Sequence, residues 1–254
     1  MEQNLPTGSQ KPQQTAHTVE IFSEVAPKYE FLNAVMTAGM DKRWRNSMLE
    51  VCESAIGKKP DAALDLATGT GDVARMMADR WPGSKVIGTD PTPAMLEVAK
   101  AKALGEKVPR AHRRIDWKEG VAEAITAEDG TLDVVTIAFG FRNVAEDLRQ
   151  KAAEEAFRVL KPGGVFAILE LGLPRGKLSR VIYSFLLKKG MPKFASFFAP
   201  RAPYDYLAQS VIDFPAPDQV KKMLSKSGFL AFAPRPLSGG MTWLYVGKRP
   251  VIEN

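Results

Sequence analysis

The stretch LDLATGTGDVA, from Leu64 to Ala74, constrains the fold more than any other part of the sequence. An apolar run leads there into Gly69-Thr70-Gly71, and a segment of helical composition follows. Glycine lets the backbone turn sharply and approach a ligand without an intervening Cβ atom. A strand, a glycine-rich turn and a helix in this order are typical of nucleotide-binding α/β proteins. The stretch therefore predicts a sheet with a ligand site after its first strand.

The rest of the chain alternates in the same way between short apolar runs and helical segments. Runs rich in Ala, Val, Ile and Leu that are bounded by turn residues predict buried strands. The predicted strands are Ala62–Ala67, Lys85–Asp90, Leu132–Phe139, Gly164–Leu171, Phe229–Pro234 and Met241–Lys248. The predicted helices are Gly71–Arg80, Thr92–Leu104, Ala145–Leu160 and Asp218–Ser227. Such alternation predicts a mostly parallel sheet with helices on both faces.

Composition divides the 254 residues into a tail and one domain. Residues 1–18 are rich in Gln, Thr and Pro and have no apolar segment, which predicts a disordered tail. Residues 19–254 are predicted to form a single domain that begins with an amphipathic helical region. Within this domain, residues 175–213 are dense in Phe, Tyr, Lys and Pro and carry no strand signal. We expect this segment to be a lid, inserted over the ligand edge of the sheet.

Several classes of protein are excluded or disfavoured by composition. No apolar run approaches the roughly 20 residues that span a bilayer, so an integral membrane protein is excluded. The single cysteine, Cys52, excludes an internal disulfide and a cysteine-built metal site, and no metal site is predicted. The N-terminus resembles neither a secretory signal nor a transit peptide, which predicts a cytoplasmic protein. The net charge is +6, but the cations are dispersed and no nucleic-acid module is present, so no nucleic-acid partner is expected.

Two kinds of ligand fit the glycine turn. Gly69-x-Gly71-x-x-Ala74 matches the dinucleotide fingerprint, and Asp90 lies about 20 residues further on, where a ribose-binding acid belongs. Under this interpretation the turn binds NAD, and the protein is an oxidoreductase. However, glycine turns of this kind are shared by unrelated nucleotide-binding sites, so the fingerprint alone does not decide the ligand.

The acids around the turn favour a cationic ligand instead. Asp65 lies in the strand and Asp72 follows the second glycine. A pyrophosphate at the helix N-terminus would face both carboxylates, and like charges about 4 Å apart repel by roughly 4 kcal/mol at an effective dielectric of about 20. S-adenosylmethionine carries a sulfonium and an α-ammonium, and Asp90 can accept hydrogen bonds from its ribose hydroxyls. We therefore predict that Asp65, Gly69, Gly71 and Asp90 bind this methyl donor.

Five motifs resemble one family of methyltransferases. They are FSEVAPKYEFLNAVMTAGMDKRWR (Phe22–Arg45), LDLATGTGD (Leu64–Asp72), FGFRNV (Phe139–Val144), AFRVLKPGG (Ala156–Gly164) and YDYLAQSVIDFP (Tyr204–Pro215). With these motifs the sequence resembles the ubiquinone/menaquinone biosynthesis C-methyltransferases over nearly the whole chain after about Val19. The resemblance implies the class I S-adenosylmethionine-dependent fold, which is Rossmann-like with a seven-stranded sheet and helices on both faces.

The resemblance also implies a reaction and a donor site. The reaction is methyl transfer to a ring carbon of a prenylated quinol, in menaquinone or ubiquinone biosynthesis. Thr70 and Asp90 match donor-site positions of the family, as do Val121 and Ala122 in GVAEA and Ala138 before FG. Val121 replaces the usual Asn or Asp, and Ala138 replaces a common serine; each change removes a side-chain hydrogen bond worth about 0.5–1.5 kcal/mol. These departures keep open a non-catalytic partner that binds the donor or the quinone.

Arg142 and Asn143 are the main catalytic candidates. They follow the carboxyl end of a predicted strand, where ligands of open α/β sheets bind. An aromatic carbon becomes nucleophilic when its ring hydroxyl loses a proton, and a guanidinium with an amide could stabilise the phenolate that results. Arginine stays protonated, so a water or a carboxylate is expected to be the base, and Asp41 is one candidate.

Four residues of the family motifs are predicted to contact the acceptor. Tyr29 and Asn33 are four apart and share one helix face, and Phe141 and Tyr206 belong to two further motifs. For Tyr29 and Asn33, packing of an N-terminal helix on the domain is the alternative interpretation.

The segment Arg180–Arg201 predicts contact with a membrane. Its Phe, Leu, Ile and Met residues are interleaved with five cations, as in interfacial segments that bind anionic lipid at about 1 kcal/mol per cation. A lid whose apolar residues only pack on the domain is the alternative. We therefore expect a cytoplasmic protein with peripheral contact at the inner face of the cell membrane, and we keep a homodimer as a candidate assembly.

Overall fold

A computed structural model describes residue 37 and residues 39–105, 108–185 and 202–251, and within them it contains eight strands and seven α-helices. The strands are β1 (Ala62–Leu66), β2 (Lys85–Asp90), β3 (Asp116–Glu119), β4 (Leu132–Ala138), β5 (Leu160–Leu171), β6 (Leu230–Ala231), β7 (Arg235–Leu237) and β8 (Thr242–Lys248). The helices are α1 (Asp41–Ile56), α2 (Asp72–Arg80), α3 (Pro93–Leu104), α4 (Arg149–Val159), α5 (Lys177–Phe185), α6 (Ala202–Asp213) and α7 (Pro217–Lys226).

The strands form one twisted sheet in the order β3-β2-β1-β4-β5-β8-β6, with β7 also paired to β8. The first five are parallel, whereas β8 is antiparallel to β5. The short strands β6 and β7 pair with opposite ends of β8 and share one edge position. The sheet therefore has seven strand positions, and the predicted α/β fold with helices on both faces is confirmed.

The order of the strands creates the crevice of the site. β1 lies between β2 and β4, so the connections that leave β1 and β4 run to opposite sides of the sheet. In open α/β sheets a ligand binds at the carboxyl ends of the strands at such a switch point. The glycine turn follows β1 at this point.

Two apolar layers hold the helices against the sheet. On one face, α1 and α2 pack through residues such as Met48, Leu49 and Met77. On the other face, α4 and α7 pack through residues such as Ala156 and Leu224. The central strands are buried on both faces, which explains why β4 and β5 are near-continuous apolar runs.

Three predicted boundaries were wrong, and one strand was not predicted. β5 begins at Leu160 because this residue pairs with Leu132. The register of the β4–β5 pair then shifts, and the glycine turn of β5 lies within this shift. α4 begins at Arg149 because Glu146–Leu148 form a 3-10 turn. The predicted strand Phe229–Pro234 is reduced to β6, and the separate strand β7 begins after it, because the prolines at 234 and 236 lack the N–H that a continuous ladder needs. β3 was missed because its four residues, DWKE, contain a single apolar side chain.

The segment 175–213 contains α5 and α6 and, in its described part, no strand. Its role as a lid stays a prediction. None of the described helices has the length and apolarity to cross a bilayer. The predicted tail, residues 1–18, lies outside the described residues, as do Tyr29 and Asn33.

Candidate active site

A cleft of about 820 Å³, counting the open space at its mouth, lies at the carboxyl ends of β1, β2, β3 and β4. Its described walls come from the four segments that follow these strands. Six predicted site residues line it together: Gly69, Asp90, Val121, Ala122, Ala138 and Asn143.

The two glycines of the turn have different roles. Gly69 has a φ of 56° and lines the cleft, so it lets the turn meet a ligand with backbone atoms. Gly71 has a φ of 82°, and a Cβ atom there would lie 2.5 Å from Cη2 of Trp117 on β3. Packing against Trp117 therefore requires the second glycine, which is not a lining residue of the cleft. Thr70, between them, is 3% exposed and is likewise not part of the lining.

Asp90 connects the first two turns of the cleft. Its Oδ2 accepts a hydrogen bond from the N–H of Gly69 at 2.8 Å, and its Oδ1 accepts one from the N–H of Thr92 at 2.9 Å. Burial raises the pKa of Asp90, and these two N–H groups oppose the increase. A carboxylate has about four acceptor positions. The side chain of Thr92 also hydrogen-bonds to Asp90, so about one position remains for a hydroxyl of a ligand.

Asp65 supports the turn from below. Its carboxylate is 1% exposed and accepts hydrogen bonds from the hydroxyls of Thr68, at 2.6 Å, and Thr136, at 2.7 Å. Burial raises the pKa of Asp65 to about 7, although both hydroxyls and the charge of Arg45 lower it. We predicted Asp65 as a donor contact, but the structure places it outside the cleft lining.

Asp72 is matched by cations. It forms ion pairs with Arg75 at 2.5 Å and Arg45 at 3.4 Å. These ion pairs reduce the repulsion that we predicted between Asp72 and a pyrophosphate at the turn. The cleft nevertheless favours positive charge, because its described lining contains Asp90 and Glu123 and no lysine or arginine.

The walls beside Asp90 are apolar. Met95, Val121, Ala122 and Ala138 line this part of the cleft. The structure therefore places Val121 and Ala138 at the predicted surface, where neither offers a side-chain hydrogen bond. An apolar slot next to a carboxylate fits an adenine with its ribose.

The loop after β4 closes the other side of the cleft. Phe139 adopts a left-handed φ of 59°, which is uncommon for a residue other than glycine. A Cβ atom at Gly140 would lie 2.6 Å from the Cβ of Ala67, so only glycine lets this loop approach the turn after β1.

Arg142 fastens this loop to β5. Its Nη1 donates to Oε1 of Glu170 at 2.7 Å and to the carbonyl of Phe139, and its backbone N–H donates to Oε2 of Glu170 at 3.0 Å. The side chains of Arg142 and Glu170 are 5% and 0% exposed. The predicted orientation of Arg142, toward the oxygen of an acceptor, therefore differs from the structure. Sequence analysis missed Glu170, although an acid within the apolar run FAILELG indicates a buried partner.

Asn143 is the polar side chain that this loop presents to the cleft. Its Oδ1 accepts a hydrogen bond from the hydroxyl of Tyr206, on α6, at 3.2 Å. Phe141, by contrast, is 1% exposed and packs edge-on against Phe166 and Phe214 in the core. Of the predicted acceptor contacts in the described residues, the structure brings Tyr206 to the site and places Phe141 away from it.

Asp41 lies at the first residue of α1, outside the cleft lining. It accepts a hydrogen bond from the hydroxyl of Thr37 at 3.2 Å and forms an ion pair with Arg45. Both carboxylate oxygens therefore have partners, and the predicted base does not face the described cleft.

Together, the strand order, the glycine turn and the acid at the end of β2 define a class I S-adenosylmethionine-dependent methyltransferase. The residues present fit this donor: Asp90 retains an acceptor position for a ribose hydroxyl, the slot beside it is apolar, and the acidic lining suits a cationic ligand.

The match to one family is direct. The model of the ubiE/COQ5 methyltransferase family matches residues 9–249, so the chain belongs to this family. This match confirms the predicted methyltransferase activity and methyl donor.

Relatives and a solved structure agree with this assignment. The chain is 38% identical to the ubiquinone/menaquinone biosynthesis C-methyltransferase UbiE of Geobacter sulfurreducens, over 91% of this chain and 87% of the relative. It is also 38% identical to demethylmenaquinone methyltransferase of Thermus thermophilus, over 91% of this chain and all of the relative. Human N-acetylserotonin methyltransferase in complex with S-adenosylmethionine shares the fold, with a TM-score of 0.55 and 18% identity over 85% of this chain and 55% of the human chain.

Proposed function

We propose that the protein methylates a ring carbon of a prenylated quinol in menaquinone or ubiquinone biosynthesis. One observation carries the proposal: relatives with these activities in their names align with about nine-tenths of the chain at 38% identity. The cleft supports it, since one part of its lining suits a nucleoside and another part presents Asn143, which accepts a hydrogen bond from Tyr206.

When bound, S-adenosylmethionine supplies an electrophilic methyl group on a sulfonium. The described residues then have two tasks. Asp90 and the apolar slot formed by Val121, Ala122 and Ala138 hold the nucleoside and exclude water. Rigid placement of both reactants supplies much of the acceleration in such a displacement.

Asn143 is the residue we assign to the phenolate of the acceptor. Its Oδ1 is occupied by the hydroxyl of Tyr206, so its two N–H donors are left for an oxygen in the cleft. An amide donor that is already oriented stabilises developing negative charge without reorganisation. Tyr206 acts through Asn143, by fixing the rotation of the amide.

Arg142 and Asp41 receive positioning roles. Arg142 is bound to Glu170 and to the carbonyl of Phe139, so it holds the loop that presents Asn143. Asp41 holds Arg45 beside the turn, and a water remains the candidate base.

We further propose that α5 contacts an anionic membrane surface at the inner face of the cell membrane, in a cytoplasmic protein. Leu178 and Val181 are 74% and 67% exposed and share one face of the helix. Lys177 and Arg180 lie beside them, and α5 follows β5, whose carboxyl end is near the cleft. Apolar burial next to cations is what interfacial binding requires. Most of the segment Arg180–Arg201 lies outside the described residues.

Sedimentation with vesicles that contain phosphatidylglycerol tests this contact. Leu178→Ser with Val181→Ser is expected to reduce binding, whereas Leu230→Ser, an equally apolar exposed site on β6, is not. Equal binding of both variants and the wild type would contradict the proposal. The homodimer stays a prediction, which sedimentation equilibrium can test.

The reaction is tested with purified protein, methyl-labelled donor and two prenylated acceptors, a demethylnaphthoquinol and a 6-methoxybenzoquinol. The proposal predicts a product heavier by one methyl group from at least one acceptor. In a strain without the gene, mass spectrometry of the quinone pool should show an intermediate lighter by one methyl group. Donor binding without transfer to either acceptor, together with an unchanged quinone pool, would favour a non-catalytic binding partner.

A further inference from the structure

The methyl donor has a charge that the described walls of the cleft do not match. Its amino-acid end carries an α-carboxylate next to the ammonium. The charged side chains in the described lining are the acids Asp90 and Glu123. A carboxylate that leaves water needs charge-assisted hydrogen bonds in return. An arginine next to the cleft is well suited to supply them.

Two arginines contact Phe139, which lines the cleft. Arg142 donates from Nη1 to the carbonyl of Phe139 and to Glu170, so its charge is already neutralised by a fully buried carboxylate. Arg45 lies over the other side of this residue, with its guanidinium carbon 5.6 Å from the centre of the Phe139 ring.

Arg45 lies between α1 and the helix that follows the glycine turn. Its side chain is 9% exposed, and its Nη1 contacts Asp41 on α1 and Asp72 at the start of α2, the latter at 3.4 Å. The charge of Arg45 also lowers the pKa of Asp65, below the turn. Arg45 thus interacts with three parts of the donor site: with Asp65 of β1 through its charge, with Asp72 after the glycine turn through an ion pair, and with the ring of Phe139.

One edge of the Arg45 guanidinium is not used by the described residues. Nη1 accounts for the contacts with Asp41 and Asp72, whereas Nε is buried and has no hydrogen-bond partner there. A buried donor without a partner costs about 1–3 kcal/mol. Nε and Nη2 together form the fork that binds a carboxylate through two parallel hydrogen bonds.

We propose that Arg45 binds the α-carboxylate of S-adenosylmethionine through its Nε and Nη2 edge. Asp41 and Asp72 hold the guanidinium in place through Nη1. This contact makes Arg45 a specificity residue for the amino-acid end of the donor, and it links α1 to occupancy of the donor site. The inference concerns the donor alone and does not depend on the identity of the acceptor.

The test compares two ligands by titration calorimetry on the full chain: S-adenosylmethionine and its decarboxylated form, which retains the sulfonium and the amine. The wild type is expected to bind the carboxylated donor at least tenfold more tightly. In Arg45→Gln, affinity for S-adenosylmethionine should fall about 10- to 100-fold, as for loss of a charged hydrogen-bonded pair, while affinity for the decarboxylated ligand changes less than about threefold. Arg45→Lys keeps the charge but not the fork, so an intermediate loss is expected.

Arg80→Gln is the matched control. Arg80 also joins α2 to α1 through a fork, with Nε and Nη2 donating to Glu53 at 2.9 and 2.7 Å. It lies at the opposite end of α2 from the turn, so it should leave both affinities unchanged.

Equal losses for both ligands in Arg45→Gln would show a structural role and overturn the proposal, as would no loss for either. If this variant does not fold, the wild type still decides the matter, because equal affinities for the two ligands would overturn the proposal without any substitution. Binding is measured without an acceptor, so failure of this inference is distinguishable from failure of the proposed reaction.

Discussion

Glu170→Gln tests the support of the loop that presents Asn143. Glu170 is fully buried and accepts three hydrogen bonds: from Nη1 of Arg142 at 2.7 Å, from the N–H of Leu171 at 2.9 Å and from the N–H of Arg142 at 3.0 Å. Glutamine removes the charge and turns one acceptor into a donor that faces other donors. The guanidinium of Arg142 then stays buried without a counter-charge.

The size of the effect follows from this geometry. Removing one partner of a buried ion pair costs about 3–5 kcal/mol, whereas replacing both partners by apolar side chains is often neutral. We therefore expect Glu170→Gln to lower the free energy of unfolding by about 3–5 kcal/mol. The double variant Arg142→Met with Glu170→Leu should regain most of this loss, yet it lacks the bond from Arg142 to the carbonyl of Phe139.

Urea unfolding and steady-state kinetics measure these two effects separately. The double variant is expected to be stable, to bind the donor normally and to have a kcat reduced about tenfold or more, because the loop is no longer fixed. A loss of less than about 1 kcal/mol in Glu170→Gln would refute the assignment of a desolvated pair. Full kcat in the double variant would refute the positioning role of Arg142.

Three further predictions use other residues of the site. Burial raises the pKa of Asp65 to about 7, so between about pH 4 and 7 the native state binds more protons than the unfolded state. The free energy of unfolding should therefore fall as the pH rises through this range. Urea titrations of Asp65→Asn should lack this pH-dependent component. Gly71→Ala should lower the free energy of unfolding by about 2–3 kcal/mol, because the new Cβ atom would collide with Trp117. Gly130 has a left-handed backbone too but open space around it, so thermal unfolding of Gly130→Ala should show a loss of about 1 kcal/mol. Equal losses would exclude the contact with Trp117 as the cause. Val121→Asn adds a polar group to the cleft wall and should strengthen donor binding by about 0.5–1.5 kcal/mol in calorimetry, and unchanged affinity would show that residue 121 does not contact the donor.

Local patterns predicted the strands and the turn well. The apolar runs of β1, β2 and β4 end at turn residues, so their positions follow from composition alone. β3 was missed because DWKE has neither an apolar run nor an alternation, and its place at the edge of the sheet comes from pairing with β2.

The orientation of side chains at the site was less predictable. Spacing indicated that Arg142 and Asn143 follow β4. The direction of the Arg142 side chain, however, depends on Glu170, 28 residues away, and that of Asn143 on Tyr206, 63 residues away. Similarly, the spacing of Asp72 and Arg75 indicates a local ion pair, but the second partner of Asp72, Arg45 of α1, is 27 residues away and appears only in the fold. Contacts between distant segments of the chain leave little trace in a single sequence.

A crystal of the protein soaked with both S-adenosylmethionine and NAD would show directly whether this cleft holds a cationic methyl donor. We expect S-adenosylmethionine in the cleft, with a ribose hydroxyl within hydrogen-bond distance of the Asp90 carboxylate. A diphosphate bound at the glycine turn, with no methyl donor in the cleft, would contradict it.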